Sequence, residues 1–317
     1  MSFTETDLLA IANQALGSYP LEIKEVALIN NEYNATFKVL TKDGTQFALR
    51  VNINSPRSIE NLKAEIAWVN FLRVDARVRV PHPISTTEEQ YFVTVTSDLG
   101  NSEFKCVLYS WLEGEELGDE PTPEQIRSLG AAMATLHVSS KDFKLPAGAG
   151  LPSFKDPMWE TEDFLLSEKS VLDPEAKSLI AQALAVIKSD IDELYRQHPQ
   201  QIIHADLHGW NVMWHDGKVA VFDFDDCGFG LPIQDLATAI YYLDTPEQDA
   251  ALKEGYASVA ALPEYSESQM QMFMIQRRIV LLNYLYETSN EEHRAMIPEY
   301  LEESLRRITK FLSERKE

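Results

Sequence analysis

The chain of 317 residues is short of basic residues and of cysteine, and it has no long apolar run. Each shortage excludes something. With 28 Lys and Arg against 50 Asp and Glu, the formal net charge is -22. A phosphate backbone or an anionic membrane surface needs a basic face, so neither nucleic acid nor membrane is expected as a partner. Two cysteines, Cys106 and Cys227, are too few for a disulfide framework and lack the C-x-x-C spacing of a zinc or redox site. Both read as small buried apolar residues. No apolar run approaches the ~18 residues of a membrane span. The start, MSFTETDLLA, carries two acids and no base, which argues against a secretory leader and for a cytoplasmic location.

Hydrophobic residues make up 44% and charged residues 25%, near the globular average, which excludes a disordered or collagen-like chain. At ~150 residues per domain the length predicts two lobes. Charge divides unevenly between them. Residues 1–110 hold 13 acids and 10 bases, and residues 111–317 hold 37 acids and 18 bases, a balance of -19. Excess acid serves solubility, and here it also makes the second part the place for a cation.

The first part alternates like a sheet: VALIN, ATFKVL, a Lys42-Asp43-Gly44 turn and QFALRVN predict three antiparallel strands. Leu62, Ile66, Val69 and Leu72 fall at helical spacing. YFVTVTS and FKCVLYSWL, after a rigid stretch with Pro81 and Pro83, complete a five-stranded sheet. Beyond Trp111 helices dominate, among them one with Ile126, Leu129, Met133 and Leu136, and a long one from Asp173 to about Gln197. The fold class is α+β, with a sheet lobe over residues 1–110 and a mainly helical lobe over 111–317. Short strands return only between Gln201 and Phe224.

That exception carries the chemistry. H-A-D-L-H-G-W-N runs from His204 to Asn211, and F-D-F-D-D follows from Phe222 to Asp226. A tight His215-Asp216-Gly217-Lys218 turn between two strands makes Asn211 and Asp223 neighbours, and both offer the hard oxygen ligands that Mg²⁺ prefers. Asp206, a few residues away, is placed to accept a proton from an incoming hydroxyl while a metal neutralises phosphate charge. An H-x-D-x-H reading, with Asp223 or Asp225 bridging two metals in a hydrolase, uses the same residues.

On these residues the chain resembles the aminoglycoside phosphotransferase and choline kinase superfamily, whose loop reads H-x-D-x-x-x-x-N and whose metal motif reads D-x-D. The resemblance covers most of the chain and implies a two-lobed, protein-kinase-like fold. It implies ATP as donor and Mg²⁺ as metal, with Asp206 as catalytic base, His204 bracing the loop, Asn211 and Asp223 holding the metal, and Asp225 assisting. In the sheet lobe it implies phosphate contacts from the Asn30 to Asn34 turn, Asn34 included, and from Arg50 paired with Glu65. Trp111 and Leu112 would lie at the hinge beside adenine, and Asp235 would support the catalytic loop. Three departures stand out: the turn is not glycine-rich, Arg50 replaces the usual lysine, and Gly209-Trp210 replaces Pro-Gly. His208 reads as a loop packer, Asp226 as a capping or solvent-facing acid and His137 as a helix-end residue.

Only 11 residues separate Asp223 from Asp235, too few for the activation segment that seats a peptide on a protein kinase. An inactive nucleotide-binding module would lack Asp206, Asn211 or Asp223, and none is missing. The reading is a small-molecule kinase whose hydroxyl acceptor is an aminoglycoside, choline or ethanolamine, homoserine, or a related sugar or amino alcohol. The acceptor is expected to be cationic and to be drawn in by Glu113, Glu115, Glu116, Asp119 and Glu120.

Overall fold

The computed structural model describes residues 3–31, 33–55, 57–75, 77–97 and 102–315. A helix absent from the sequence reading comes first: α1 (Glu5–Leu16), started by a capping box in which Thr4 and Asp7 exchange hydrogen bonds. Then come β1 (Ile23–Asn31), β2 (Asn34–Thr41), β3 (Gln46–Asn52), α2 (Ile59–Asp75), β4 (Val93–Ser97) and β5 (Ser102–Ser110). The five strands form one antiparallel sheet in the order β1-β2-β3-β5-β4. Gly44, at φ +90, makes the β2 to β3 turn in a conformation that side chains disfavour.

Strand alternation sends side chains to two different cores. Phe37, Val39, Leu49, Val51, Phe104, Cys106 and Leu108 face α1 and bury its Leu8, Ile11 and Leu16. Each large aliphatic so covered contributes roughly 1.5–3 kcal/mol. The intervening Val107 and Tyr109 belong instead to the large core that α2 shares with the rest of the chain. Arg50 lies on this second face, on the central strand β3, between Thr36 of β2 and Val107 of β5.

After β5 the chain forms a second unanticipated element, the short strand β6 (Glu115–Glu116), and then α3 (Pro123–Ser139) and α4 (Pro174–Gln197), which Asp173 caps. Next come β7 (Gln201–Ile203), a 3₁₀ turn at Gly209–Asn211, β8 (Val212–His215), β9 (Lys218–Val221), a 3₁₀ turn at Phe224–Asp226, and β10 (Gly228–Gly230). Helices α5 (Pro232–Tyr241), α6 (Pro246–Ala257), α7 (Glu267–Glu287), α8 (Glu291–Ala295) and α9 (Ile297–Glu314) finish the fold. β6 pairs with β8, β8 with β9, and β7 with β10, all antiparallel. Asp216 (φ 50) and Gly217 (φ 72) make the β8 to β9 hairpin, the double positive φ that two-residue turns need. Among the described residues no helix is long and apolar enough to cross a membrane. Both cysteines are buried and unpaired.

Candidate active site

The loop from His204 to Asn211 is shaped from beneath by Asp235, a fully buried residue in the first turn of α5. Its carboxylate accepts the backbone N–H groups of His204 (2.9 Å) and Ala205 (2.6 Å) and the Nε2–H of His137 (2.9 Å), whose Nδ1 accepts from the Tyr256 hydroxyl. His137 is thus more than a helix-end residue. It is buried, and it compensates an aspartate that would otherwise be too costly to bury. Held this way, Ala205 adopts φ +69, a strained conformation that turns the next residue out of the core. The His204 ring sits 3.0 Å from the Phe222 carbonyl and packs on Phe224, tying the loop to the D-x-D segment. Burial lowers its proton affinity.

Asp206 meets three donors. Arg277, from the middle of α7, is ion-paired with its Oδ1. His208 Nε2 lies 3.3 Å from Oδ2, and Asn211 Nδ2 lies 3.2 Å from Oδ2 and 2.7 Å from the Asp206 carbonyl. Burial alone would raise this carboxyl, but the Arg277 guanidinium, and after it His208, hold it well below the usual carboxylate range. His208 therefore touches the candidate base and also stacks on Tyr242, beyond the packing role read for it. Asn211 spends its amide N–H groups on Asp206, and its amide oxygen has no hydrogen bond among the described residues.

Gly209-Trp210 is explained by its neighbours. A Cβ at residue 209 would lie 2.3 Å from the Gly118 carbonyl oxygen, so only glycine fits where these two segments touch. Trp210 reaches outward, its indole N–H donating to Asp119 at 2.8 Å.

Across the hairpin, Phe222 N–H bonds the Asn211 carbonyl at 3.1 Å, which brings Asp223 beside the loop as the spacing required. Asp223 takes φ +60 and makes no side-chain capping bond. Burial pushes its carboxyl up to about 7, and the Asp225 carboxylate adds to the rise. Asp225 accepts from Asn34 Nδ2 (3.0 Å) and lies 3.8 Å from Arg50. Arg50 pairs with Glu65 at 2.6 Å, and Tyr109 donates to the other Glu65 oxygen at 2.9 Å. Burial lifts the Glu65 carboxyl against the pull of Arg50. Asp226, read as a capping or solvent-facing acid, has a side chain 40% exposed and is also ion-paired with Arg57 at 2.6 Å.

Sequence reasoning thus selected Arg50, Glu65, Asn34 and Asp225, which form one network, and His204, Asp206 and Asn211, which form the adjoining one; Asp223 lies beside both, placed by the Phe222 backbone bond. Trp111 and Leu112 join neither by hydrogen bond or ion pair among the described residues. They line a cavity of about 320 Å³ with Ser110, His82 and Val78, and the Lys38 ammonium lies 4.6 Å from the Trp111 ring centre. Glu32, within the Asn30 to Asn34 turn, is outside the described residues. Arg277, Tyr242 and Trp159 were missed. The signal for Arg277 was present in FMIQRRIVLL, where two adjacent arginines inside an apolar helix need buried partners.

Asn211 and Asp223 suit Mg²⁺, which takes one or two protein oxygens and completes its shell with phosphate and water. Asp223 supports that fit: a buried carboxylate beside two other acids, with no capping bond, gains from a cation. No larger group of three or more metal-ligating side chains occurs among the described residues.

A sheet lobe joined to a helical lobe, with an H-x-D loop and a D-x-D turn between them, defines the protein-kinase-like class. Comparison narrows it. The phosphotransferase enzyme family (APH) is matched over residues 25–268, and the chain belongs to that family. It is 25% identical over 241 residues to amicoumacin kinase of Bacillus subtilis (strain 168), covering 75% of this chain and 68% of that protein. It is 28% identical over 204 residues to a homoserine kinase of Methylorubrum populi, covering 56% of this chain and 59% of that one. The solved structure of a microcompartment-associated aminopropanol kinase superposes with a TM-score of 0.81 at 27% identity, over 96% of this chain and 98% of that one. The chain is an enzyme of the small-molecule kinase class.

Proposed function

We propose that the protein transfers the γ-phosphoryl group of ATP to a hydroxyl of a small molecule that carries a cationic group. The observation that carries this reading is the adjacency of the two networks, a donor-bound Asp206 beside Asn211 and an acid-rich turn joined to Arg50. In this reading residues 1–110 receive the nucleotide and residues 111–317 supply the catalytic loop, the metal residues and the acceptor site. Arg50, kept in place by Glu65, grips phosphate oxygens through its planar fork. Asn34 and the hinge at Trp111 and Leu112 position the nucleotide. Asn211, Asp223 and Asp225 would hold Mg²⁺, which when bound neutralises phosphate charge.

Asp206 orients the acceptor hydroxyl and takes its proton as the acceptor oxygen bonds to the γ-phosphorus. The bond from that phosphorus to the bridging oxygen breaks, and ADP leaves with the electron pair. The amicoumacin kinase hAmiN, which shares the fold with a TM-score of 0.77 at 18% identity, has been solved in complex with AMP-PNP, Ca²⁺ and Ami, which supports a nucleotide with a divalent metal. The short path from Asp223 to α5, filled by a 3₁₀ turn and β10, favours a small acceptor over a peptide. Purified protein should release ADP from Mg-ATP when given the right member of a panel of hydroxyl compounds. Lack of release across aminoglycosides, amino alcohols, hydroxy amino acids and sugars would end this reading.

A further inference from the structure

Arg277 is buried, 5% exposed, and its partners are the Asp206 carboxylate and the Tyr242 hydroxyl, the latter 2.7 Å away. Both partners meet Nη2.

Two further observations show that this corner is incomplete. Arg277 Nε and Trp159 Nε1 are both buried N–H donors without an acceptor, a rare condition in folded proteins. The guanidinium carbon lies 5.2 Å from the Trp159 ring centre and 5.4 Å from that of Tyr242, so these groups form one aromatic-walled cluster around a positive charge. Trp159 is turned in by two successive residues at positive φ, Trp159 (φ 59) and Glu160 (φ 58). The phosphate side of the site is already served by Arg50 and the acid-rich turn, and among the described residues Arg277 makes no ion pair with that network.

The geometry points to Arg277 and Trp159 as an anion-reading subsite for the acceptor, which would then carry a carboxylate besides its hydroxyl and amine. This rests on the acceptor reading above and names the substrate class, a small hydroxy amino acid. The carboxylate supplies the acceptor that Nε and Nε1 lack. An acceptor without it reaches the same base but leaves both donors unpaired.

The test uses two matched pairs that differ only by the carboxylate: L-homoserine against 3-amino-1-propanol, and L-threonine against 1-amino-2-propanol. ADP release with Mg-ATP is measured for the wild type, Arg277→Gln, Arg277→Lys and Trp159→Phe, each checked for an unchanged melting temperature. Expected for the wild type is a kcat/KM at least about 30-fold higher for the carboxylate member of the pair it uses, the effect of truncating a buried charge contact. Arg277→Gln should abolish that preference chiefly through the KM of the carboxylate member, and Arg277→Lys should restore part of it. Trp159→Phe keeps the ring, removes the N–H and should cost severalfold on the carboxylate member alone, so it decides the matter if Arg277→Gln does not fold.

A wild type that uses the amino alcohols as well as or better than their carboxylate partners overturns the inference and leaves the kinase reading standing. Arg277 also pairs with Asp206, so Arg277→Gln lowers kcat on both members; a variant that keeps the wild-type preference for the carboxylate member beneath that shared loss overturns the inference. If only a compound without an anionic group is phosphorylated, the subsite fails. If no hydroxyl compound is phosphorylated, the acceptor reading itself fails and takes the subsite with it.

Discussion

Asp206 and Asp223 stand on the two sides of one short hairpin, and their surroundings are opposite. Asp206 is buried among donors: Arg277, His208 and Asn211 all point at its two oxygens, and its carboxyl is held down. Asp223 is buried among acids, and its carboxyl is pushed up to about 7. The same side chain is therefore neutralised by the protein in one place and left unneutralised in the other. A base that must be ionised when the acceptor arrives benefits from built-in donors. A group awaiting an external cation benefits from their absence.

The sharpest way to break this comparison is Asp206→Ala. Turnover should fall by roughly 10²-fold or more, the range for removal of a general base, with nucleotide affinity almost unchanged. A variant that keeps wild-type turnover on the identified acceptor would remove Asp206 from the chemistry. On the other side of the hairpin, Asp223→Ala should weaken Mg-nucleotide binding by at least about tenfold, and Asn211→Ala by less, because the amide carries no charge. Calorimetric titration of Mg-ATP measures both, and unchanged affinity in the two variants would place the metal elsewhere.

In the proposed reading Arg50 links the acid-rich side to phosphate. Arg50→Ala should raise the KM for ATP severalfold, and Arg50→Lys should recover part of the loss. The alanine variant also strands Glu65, only 3% exposed, at a cost of about 3–5 kcal/mol, so melting temperature must be recorded beside kinetics. If the alanine variant folds and uses ATP normally, Lys38 or the asparagines of the β1 to β2 turn supply the contact.

The smallest effect concerns long-range charge. The specificity constant for a cationic acceptor should fall as salt rises, since exposed charges beyond about 8 Å are largely screened at physiological ionic strength. Asp119, bonded to Trp210 beside the catalytic loop, is the acid of the group best placed to act, whereas Glu113 lies at the far end of the hairpin, 3.5 Å from His215. A constant that does not respond to salt, or that falls equally for a neutral analogue, would make the acidic excess a solvated surface only.

Local order explains what was legible in the sequence. The five strands and the β8 to β9 hairpin announce themselves through alternation and a turn pair within a few residues, and Asp206, Asn211 and Asp223 fall close together in the chain. The Arg50 and Glu65 pair is only 15 positions apart. α1 had its signal, Thr4 and Asp7 bracketing a capping box before an apolar stripe, but the segment was weighed only as a leader. The partners of Arg277 and His137 were out of reach for a different reason. They lie 71 positions away for Arg277 to Asp206 and 98 for His137 to Asp235, and no periodicity reports which helix face meets which loop. Gly209 belongs with them, because its need for a bare Cα comes from Gly118, on a segment that spacing cannot place.

The 71-position separation of Arg277 from Asp206 also sets an order in time. A ribosome adding about 5–20 residues per second leaves roughly 4–14 s between synthesis of the H-A-D segment and arrival of the arginine that clamps it. During that interval the loop can gain Asp235 and its strand partners, but not its cation. Arg50 and Glu65 are made long before. In the proposed reading the nucleotide side is thus complete first, and Asp206 reaches its final electrostatic state only when α7 is made.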